Sequence, residues 1–382
     1  MEMMQKTDRN RTSVPVKVML FIIGSIVITR IIFYLLYVMR FGDFSIMGFL
    51  LKIDNWDAVW YKSIVTDGYP SFATGQASWA FFPLYPLTVR ALIFVTGMNI
   101  DLAGFIVSNL CYFVSCIYAY RYIMKTRKSQ EEAVFYLALM TFGVCGFYET
   151  IMYTEAMYLM FLCMSFYYLE QDEYLKMGIC GILMSATRNT GVFFVFAVLF
   201  HWISVYRQKN AEDRNPVSFI RTTLDNSSLV LGTMMVPAGL FAYMYYLWKR
   251  VGDPLAFVHI QKAFMLDTKP GIVDVTIRAF RLYGGQLWFY GYLTGLLLVL
   301  IMICTNRKNS ERVWGIINWF VPLQRGLGCM HRYLHIALVV ELTFSDYCMK
   351  IKRRYRILIL CLMFVAETVL MIMWLDGNGW LV

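Results

Sequence analysis

The chain has 382 residues, 59% of them apolar; 35 Lys and Arg against 25 Asp and Glu leave only 16% charged and a net charge of +10. Soluble domains carry roughly 25% charged residues. With a mean hydropathy of +0.55 and 29 Phe, 26 Tyr and 10 Trp, the composition excludes a disordered chain, a coiled coil, a disulfide scaffold and an ordinary soluble α/β enzyme. The basic residues punctuate apolar runs instead of gathering on a soluble face, so they read as orientation signals in a bilayer and not as a nucleic-acid surface.

In chain order, residues 1–17 are polar and basic and 18–40 are apolar. That run is too long for a signal-peptide core, and no small-residue cleavage site follows, so it reads as a retained anchor. Lys6, Arg9, Arg11 and Lys17 predict a cytoplasmic N-terminus, which sends residues 41–100 to the outer, lumenal or extracytoplasmic side. Within that segment, 81–98 is apolar. If it crossed, the next span at 102–120 would leave Arg121, Lys125, Arg127 and Lys128 outside, so an in-plane or re-entrant helix packed on protein is expected. The later basic clusters then also face the cytoplasm: Arg207, Lys209, Arg214 and Arg221; Arg307, Lys308 and Arg312; and Lys350, Lys352, Arg353, Arg354 and Arg356. About eleven spans are expected at about 20 apolar residues each. The prediction is an all-α, multi-pass transmembrane bundle, one integral membrane domain over 1–382, with 41–100 as the outer catalytic loop and 249–286 as a second large outer loop.

The nine cysteines form no CxxC pair and have no His at ligand spacing, so neither disulfides nor zinc is expected. The sequons at Asn10 and Asn226 fall on the cytoplasmic side of this topology and read as chance matches. No repeat and no low-complexity linker is visible.

The first outer loop carries LKIDNWDAVWYKSIVTDGYP over 51–70, with Asp54, Asp57 and Asp67 set among Trp56, Trp60, Tyr61 and Tyr69. If the segment is helical, Asp54 and Asp57 lie on one face with Tyr61 a further turn along. Two close carboxylates suit a general base with a tuned proton affinity, or hold a divalent cation. The aromatic rings offer surfaces on which sugars stack; the same residues also fit an interfacial aromatic belt with solvated acids.

The runs Trp56-Asp57-Ala58-Val59-Trp60-Tyr61, Asp67-Gly68-Tyr69 and Ala80-Phe81-Phe82-Pro83-Leu84-Tyr85-Pro86 resemble the class V phosphatidylinositol-glycan (PIG-V) family of mannosyltransferases. Thr154-Glu155-Ala156-Met157-Tyr158 is similar to that family's Ser/Thr-Glu corner, and Ala186-Thr187-Arg188-Asn189-Thr190-Gly191 to its Ala-Thr-Arg-Ser-Asn-Gly motif. Gly252-Asp253-Pro254-Leu255-Ala256-Phe257 with Gln261 resembles a pattern of its prokaryotic members. The chain departs from the family at Gly75–Trp79, where an acidic residue is expected, and at Asn189-Thr190.

The resemblance, over about residues 50–265, implies a GT-C glycosyltransferase fold. It implies transfer of a mannosyl unit from polyprenyl-phosphate mannose, a dolichyl-type carrier, to a lipid-linked glycan such as a GPI-anchor precursor, with inversion and with the essential aspartate carried over onto Asp57. The expected partners are that donor, the lipid-linked acceptor and membrane lipids, with room for an accessory subunit and none for nucleic acid. The compartment is the plasma membrane of a prokaryote, the favoured case, or the endoplasmic reticulum of a eukaryote.

The chemistry of the residues is compatible. Asp57 can take the acceptor proton and face the developing cation, with Asp54 tuning it. Arg forks suit the departing phosphate, and Arg188, Arg278, Arg281, Arg325 and Arg332 lie on the outer side. Trp56, Trp60 and Tyr61 would shape the sugar site, with Glu155 and Gln261 as hydrogen-bonding candidates. No metal ligand set is assigned. Arg30, Glu341 and Glu367 fall inside apolar runs, and Arg30 is expected to pair with one of the two acids. Such charges also suit the rival reading, a membrane transporter or flippase of a lipid-linked or small polar substrate.

Overall fold

The computed structural model describes residues 13–209, 215–264, 287–305, 307–323 and 330–378. The α-helices in chain order are α1 Val16–Phe41, α2 Ile46–Ile53, α3 Asp57–Thr66, α4 Leu84–Thr96, α5 Ile100–Thr126, α6 Gln130–Phe142, α7 Glu155–Leu169, α8 Tyr174–Thr187, α9 Phe194–Lys209, α10 Pro216–Asp225, α11 Ser227–Met235 and α12 Ala238–Val251. They continue as α13 Ala256–His259, α14 Gln261–Phe264, α15 Leu287–Cys304, α16 Asn309–Leu323, α17 Met330–His335, α18 Val339–Met349 and α19 Arg353–Leu375. Short 3-10 turns cover Ser78–Ala80, Gly146–Glu149 and Asn189–Phe193. No strand occurs among the described residues, and the all-α class expected from the sequence is the class found.

Among the described residues, five helical stretches are long and apolar enough to cross a bilayer: Val16–Phe41, Ile100–Thr126, Asn189–Gln208, Ser227–Val251 and Arg353–Leu375. They leave apolar side chains on their outer faces, such as Leu20 at 63% exposure and Leu362 at 61%, as lipid-facing helices do. The chain is a membrane protein. Where the sequence suggests about eleven spans, other apolar helices among the described residues, including Leu84–Thr96, Glu155–Leu169 and Tyr174–Thr187, have fewer than 18 residues. Helix α4, inside the stretch expected to lie in plane, is about 20 Å long at 1.5 Å per residue, short of a hydrocarbon core of about 30 Å.

Local sequence sets the ends. Asn99, Ser129 and Asn226 accept hydrogen bonds from the first-turn amides of α5, α6 and α11. The Asn226 amide, half of a sequon, is thus engaged as a cap. Gly42, Gly97 and Gly252 close α1, α4 and α12 in the left-handed conformation. Helix α7 is buried along most of its length and packs between α5 and α8. Helix α8 meets the α11–α12 stretch through glycine: a Cβ on Gly178 would lie 2.7 Å from the Gly232 carbonyl oxygen, and one on Gly239 would collide with the Ile182 carbonyl. Close backbone approach through small residues is the usual contact between helices in lipid.

Helix α5 has polar contacts at both ends. At its start Asp101 meets Lys62. At its far end, about 40 Å away by helical rise, Arg127 forks onto both Glu311 oxygens at 3.1 Å, and the Tyr122 hydroxyl donates to Glu311 at 2.5 Å. Arg307 joins the same buried Glu311 at 3.1 Å.

Candidate active site

Asp54 ends α2, and Asn55 and Trp56 break the helix before Asp57 starts α3. Trp56 sits at φ 56°, ψ −111°, costly for a bulky residue. The Tyr153 hydroxyl holds the break from both sides, accepting from the Asp57 amide at 3.0 Å and donating to the Asn55 carbonyl at 3.0 Å. The continuous helix considered for 51–70, with Asp54 and Asp57 on one face, is therefore not formed.

Asp54 is buried, accepts the Met152 amide at 3.0 Å and pairs with Lys62 at 3.2 Å. Burial pushes its carboxyl up to about 6, against the pull of Lys62 and the Met152 amide. Lys62 also serves Asp101, so one ammonium answers two acids. Asp57 instead pairs with Arg332 at 2.9 Å, so the two carboxylates take separate cationic partners. Among the described residues no group of three or more His, Cys, Asp and Glu has metal-site spacing.

Asp57 faces a cavity of about 400 Å³. Tyr61 lies one turn further along α3 on the same wall, with its hydroxyl 3.3 Å from the Thr154 hydroxyl. Glu155, the first residue of α7 and 1% exposed, lies at the back. Arg188, in extended conformation between α8 and the following 3-10 turn, donates to Glu155 at 2.7 Å and to Thr154 at 3.3 Å. Arg332, on α17, donates from one terminal nitrogen to Asp57 at 2.9 Å and holds its Nε 3.1 Å from the same Glu155 oxygen that Arg188 uses. Glu155 thus ties both guanidiniums side by side, and Arg332 bridges the two carboxylates. Aromatic faces hold the cations: the Tyr333 ring lies 5.0 Å from Arg188 and 5.6 Å from Arg332, and Tyr153 lies 5.2 Å from Arg332. Two acids and two arginines leave the cavity formally neutral.

Of the residues singled out in the sequence, Asp57, Tyr61, Glu155, Arg188, Gln261 and Arg332 line this cavity. Asp54 and Trp56 do not: Asp54 binds the Met152 amide, and Trp56, 42% exposed, contributes its backbone turn. Trp60 stands behind the wall, stacked on Phe81 at 5.8 Å with Phe264 edge-on at 5.4 Å. Arg278, Arg281 and Arg325 lie outside the described residues. Arg30 does not bond to either expected acid; it donates to Asn109 at 2.8 Å and to Thr29 at 3.0 Å. Glu367 is taken by the amides of Cys145 at 2.7 Å and Phe147 at 2.5 Å, and Glu341 by His335 at 2.6 Å. The acids are closed off because a turn and a histidine reach them first.

Further residues complete the cavity lining. Thr154, Asn189 and Thr190 are motif neighbours, and Tyr333 adjoins Arg332 in sequence. Val321 and Pro322, from the end of α16, carry no local signal beyond a proline in an apolar run. The Gly252–Phe257 segment is a corner: Gly252 ends α12, the Asp253 side chain accepts the Leu255 amide at 2.9 Å, and Phe257 packs against Phe82 at 5.4 Å.

No family model matches the chain, and no curated protein matches it. Among solved structures it is similar to the oligosaccharyltransferase of Archaeoglobus fulgidus, crystallised as a complex with Zn and sulfate. The identity is 12% and the TM-score 0.42, over 84% of this chain and 48% of that one. The chain therefore spans about half the length of that protein. A likeness this loose fixes neither reaction nor substrate.

Proposed function

We propose that this chain is a membrane glycosyltransferase of GT-C type. It would transfer a mannosyl unit, with inversion, from polyprenyl-phosphate mannose to a lipid-linked glycan. One observation carries the reading: Asp57, Glu155, Arg188 and Arg332, from four separate stretches of chain, meet in one cavity walled by aromatic and hydroxyl side chains. The motif resemblance supplies the donor sugar and the carrier, and places the essential aspartate at Asp57.

In this mechanism an acceptor hydroxyl attacks the anomeric carbon as its bond to the phosphate oxygen breaks. The hydroxyl proton goes to Asp57, and the departing phosphate gains one negative charge. Protonating Asp57 removes the charge that holds Arg332, whose guanidinium then answers the phosphate together with Arg188. The site exchanges one anion for another, and the two arginines need not be moved into place because Glu155 already holds them. Tyr61 and Phe81 wall the sugar, and Gln261 and Thr190 offer hydrogen bonds to its hydroxyls.

The test is purified protein in proteoliposomes, given polyprenyl-phosphate mannose or a nucleotide-activated mannose with extracted acceptor lipids. Transfer from the lipid phosphate alone is expected. No transfer from any lipid-phosphate sugar, with saturable flux of substrate across the vesicle, would overturn the reading in favour of a transporter.

A further inference from the structure

We propose that the groove along residues 67–78 receives the glycan chain of the acceptor, holding sugar units behind the one that reacts; this rests on the glycosyltransferase reading. The groove has a volume of about 660 Å³ and is open to the outside, within the range of small-molecule sites. It is a second space with its own lining, and it adjoins the first. Trp60 lines the groove and stacks nearly parallel on Phe81, at 5.8 Å and 16°, while Phe81 and Phe264 line the Asp57 cavity. Phe264 stands edge-on to both rings, at 5.4 and 5.9 Å. One aromatic partition is thus shared by groove and cavity, so sugar units held in the groove would lie next to the reaction centre.

The loop is fastened by hydrogen bonds that several of its lining residues make. The Tyr69 hydroxyl donates to the Phe81 carbonyl at 2.6 Å, the Trp79 indole to the Pro70 carbonyl at 2.9 Å, and Arg250 to the Tyr69 carbonyl at 3.1 Å. The Gln76 amide donates to the Ala263 carbonyl at 3.2 Å, fastening the groove to the helix that carries Gln261 and Phe264. Asp67, Ser71 and Thr74 stand exposed along it. A flat indole with hydroxyl, carboxylate and guanidinium groups around it matches a carbohydrate, which offers an apolar ring face and a rim of hydroxyls. Asp67 and Arg250 cancel in charge, so the groove suits a neutral oligosaccharide better than an anion.

Saturation-transfer NMR with mannotriose as probe, on the detergent-solubilised full chain, tests this. Wild type and Asp57→Asn should bind it, whereas Trp60→Ala and Asp67→Ala should each weaken binding at least fivefold and Trp60→Phe should restore it. Because Asp67 is an exposed loop residue, its variant reads the groove even if Trp60→Ala fails to fold. In parallel, Asp67→Ala should raise KM for a long lipid-linked glycan about tenfold and leave a one-sugar acceptor unchanged. No trisaccharide binding by wild type, or binding insensitive to the groove variants and lost in Asp57→Asn, would overturn the groove. Groove-dependent binding with no transfer from any polyprenyl-phosphate sugar would instead overturn the acceptor role by removing the glycosyltransferase reading beneath it.

Discussion

Glu155 is buried behind two guanidiniums and shares one oxygen between them. Removing such a carboxylate would leave two buried cations facing each other with only Asp57, on Arg332, to answer them, and that costs far more than the loss of a surface pair. Glu155→Gln should therefore lower kcat by two orders of magnitude or more while Glu155→Asp keeps part of it, measured as transfer at saturating donor. Arg188→Lys retains the charge but loses the planar fork and the ring contact to Tyr333, so KM for the donor should rise about tenfold, about 1.4 kcal/mol, with a smaller change in kcat. Asp54 gives the pH signal. Its carboxyl, at about 6 in the fold against 3.8 in a model peptide, binds its proton more tightly when folded. The stability it contributes is therefore full below about pH 3.8 and is lost as pH rises through about 6. Melting curves from pH 4 to 7 should show this fall in wild type and a flatter profile in Asp54→Asn. A parallel course for the two would contradict the assignment.

At the scale of the element, the informative feature is where helices stop. The sequence at 51–70 has the spacing of one continuous amphipathic turn. A break at Asn55-Trp56 is invisible to spacing because no Gly or Pro marks it; the groups that hold the turn include the Tyr153 hydroxyl, about a hundred residues away, and Trp374, farther still. By contrast the all-α class was legible throughout, since long apolar runs in lipid have one local solution. The convergence on the cavity was legible for Asp57, Tyr61, Glu155, Arg188 and Gln261 through the motifs, and for Arg332 only as one cation among five. Its salt bridge to Asp57 spans 275 positions, and no local pattern encodes that. The failed pairing of Arg30 has the same cause: Asn109 reaches it first. The glycine contacts of α8 with the α11–α12 stretch add a packing prediction. Gly232→Leu drives a side chain into the Tyr174 backbone, so it should abolish folded protein on size-exclusion chromatography, while Gly24→Leu, which meets nothing within 4 Å, should not.

At the scale of the molecule, the cavity lies at one end of α5, where Lys62 meets Asp101, and the Glu311 cluster lies at the other. The basic clusters Arg121–Lys128 and Arg307–Arg312 belong to that second end, as an orientation with the cavity on the outer side requires. Cysteines introduced at 75 and 210, in a chain cleared of the exposed Cys304 and Cys361, should be labelled from opposite faces of sealed vesicles; labelling from one face would overturn that orientation. In the proposed mechanism Asp57 takes the acceptor proton within a site that binds a lipid phosphate. Its most direct test is mannosyl transfer by membranes holding wild type or Asp57→Asn, supplied with radiolabelled polyprenyl-phosphate mannose and extracted acceptor lipids, at matched folded protein. A loss of at least a hundredfold in kcat with the donor still bound is expected, and undiminished transfer by the variant would contradict the account.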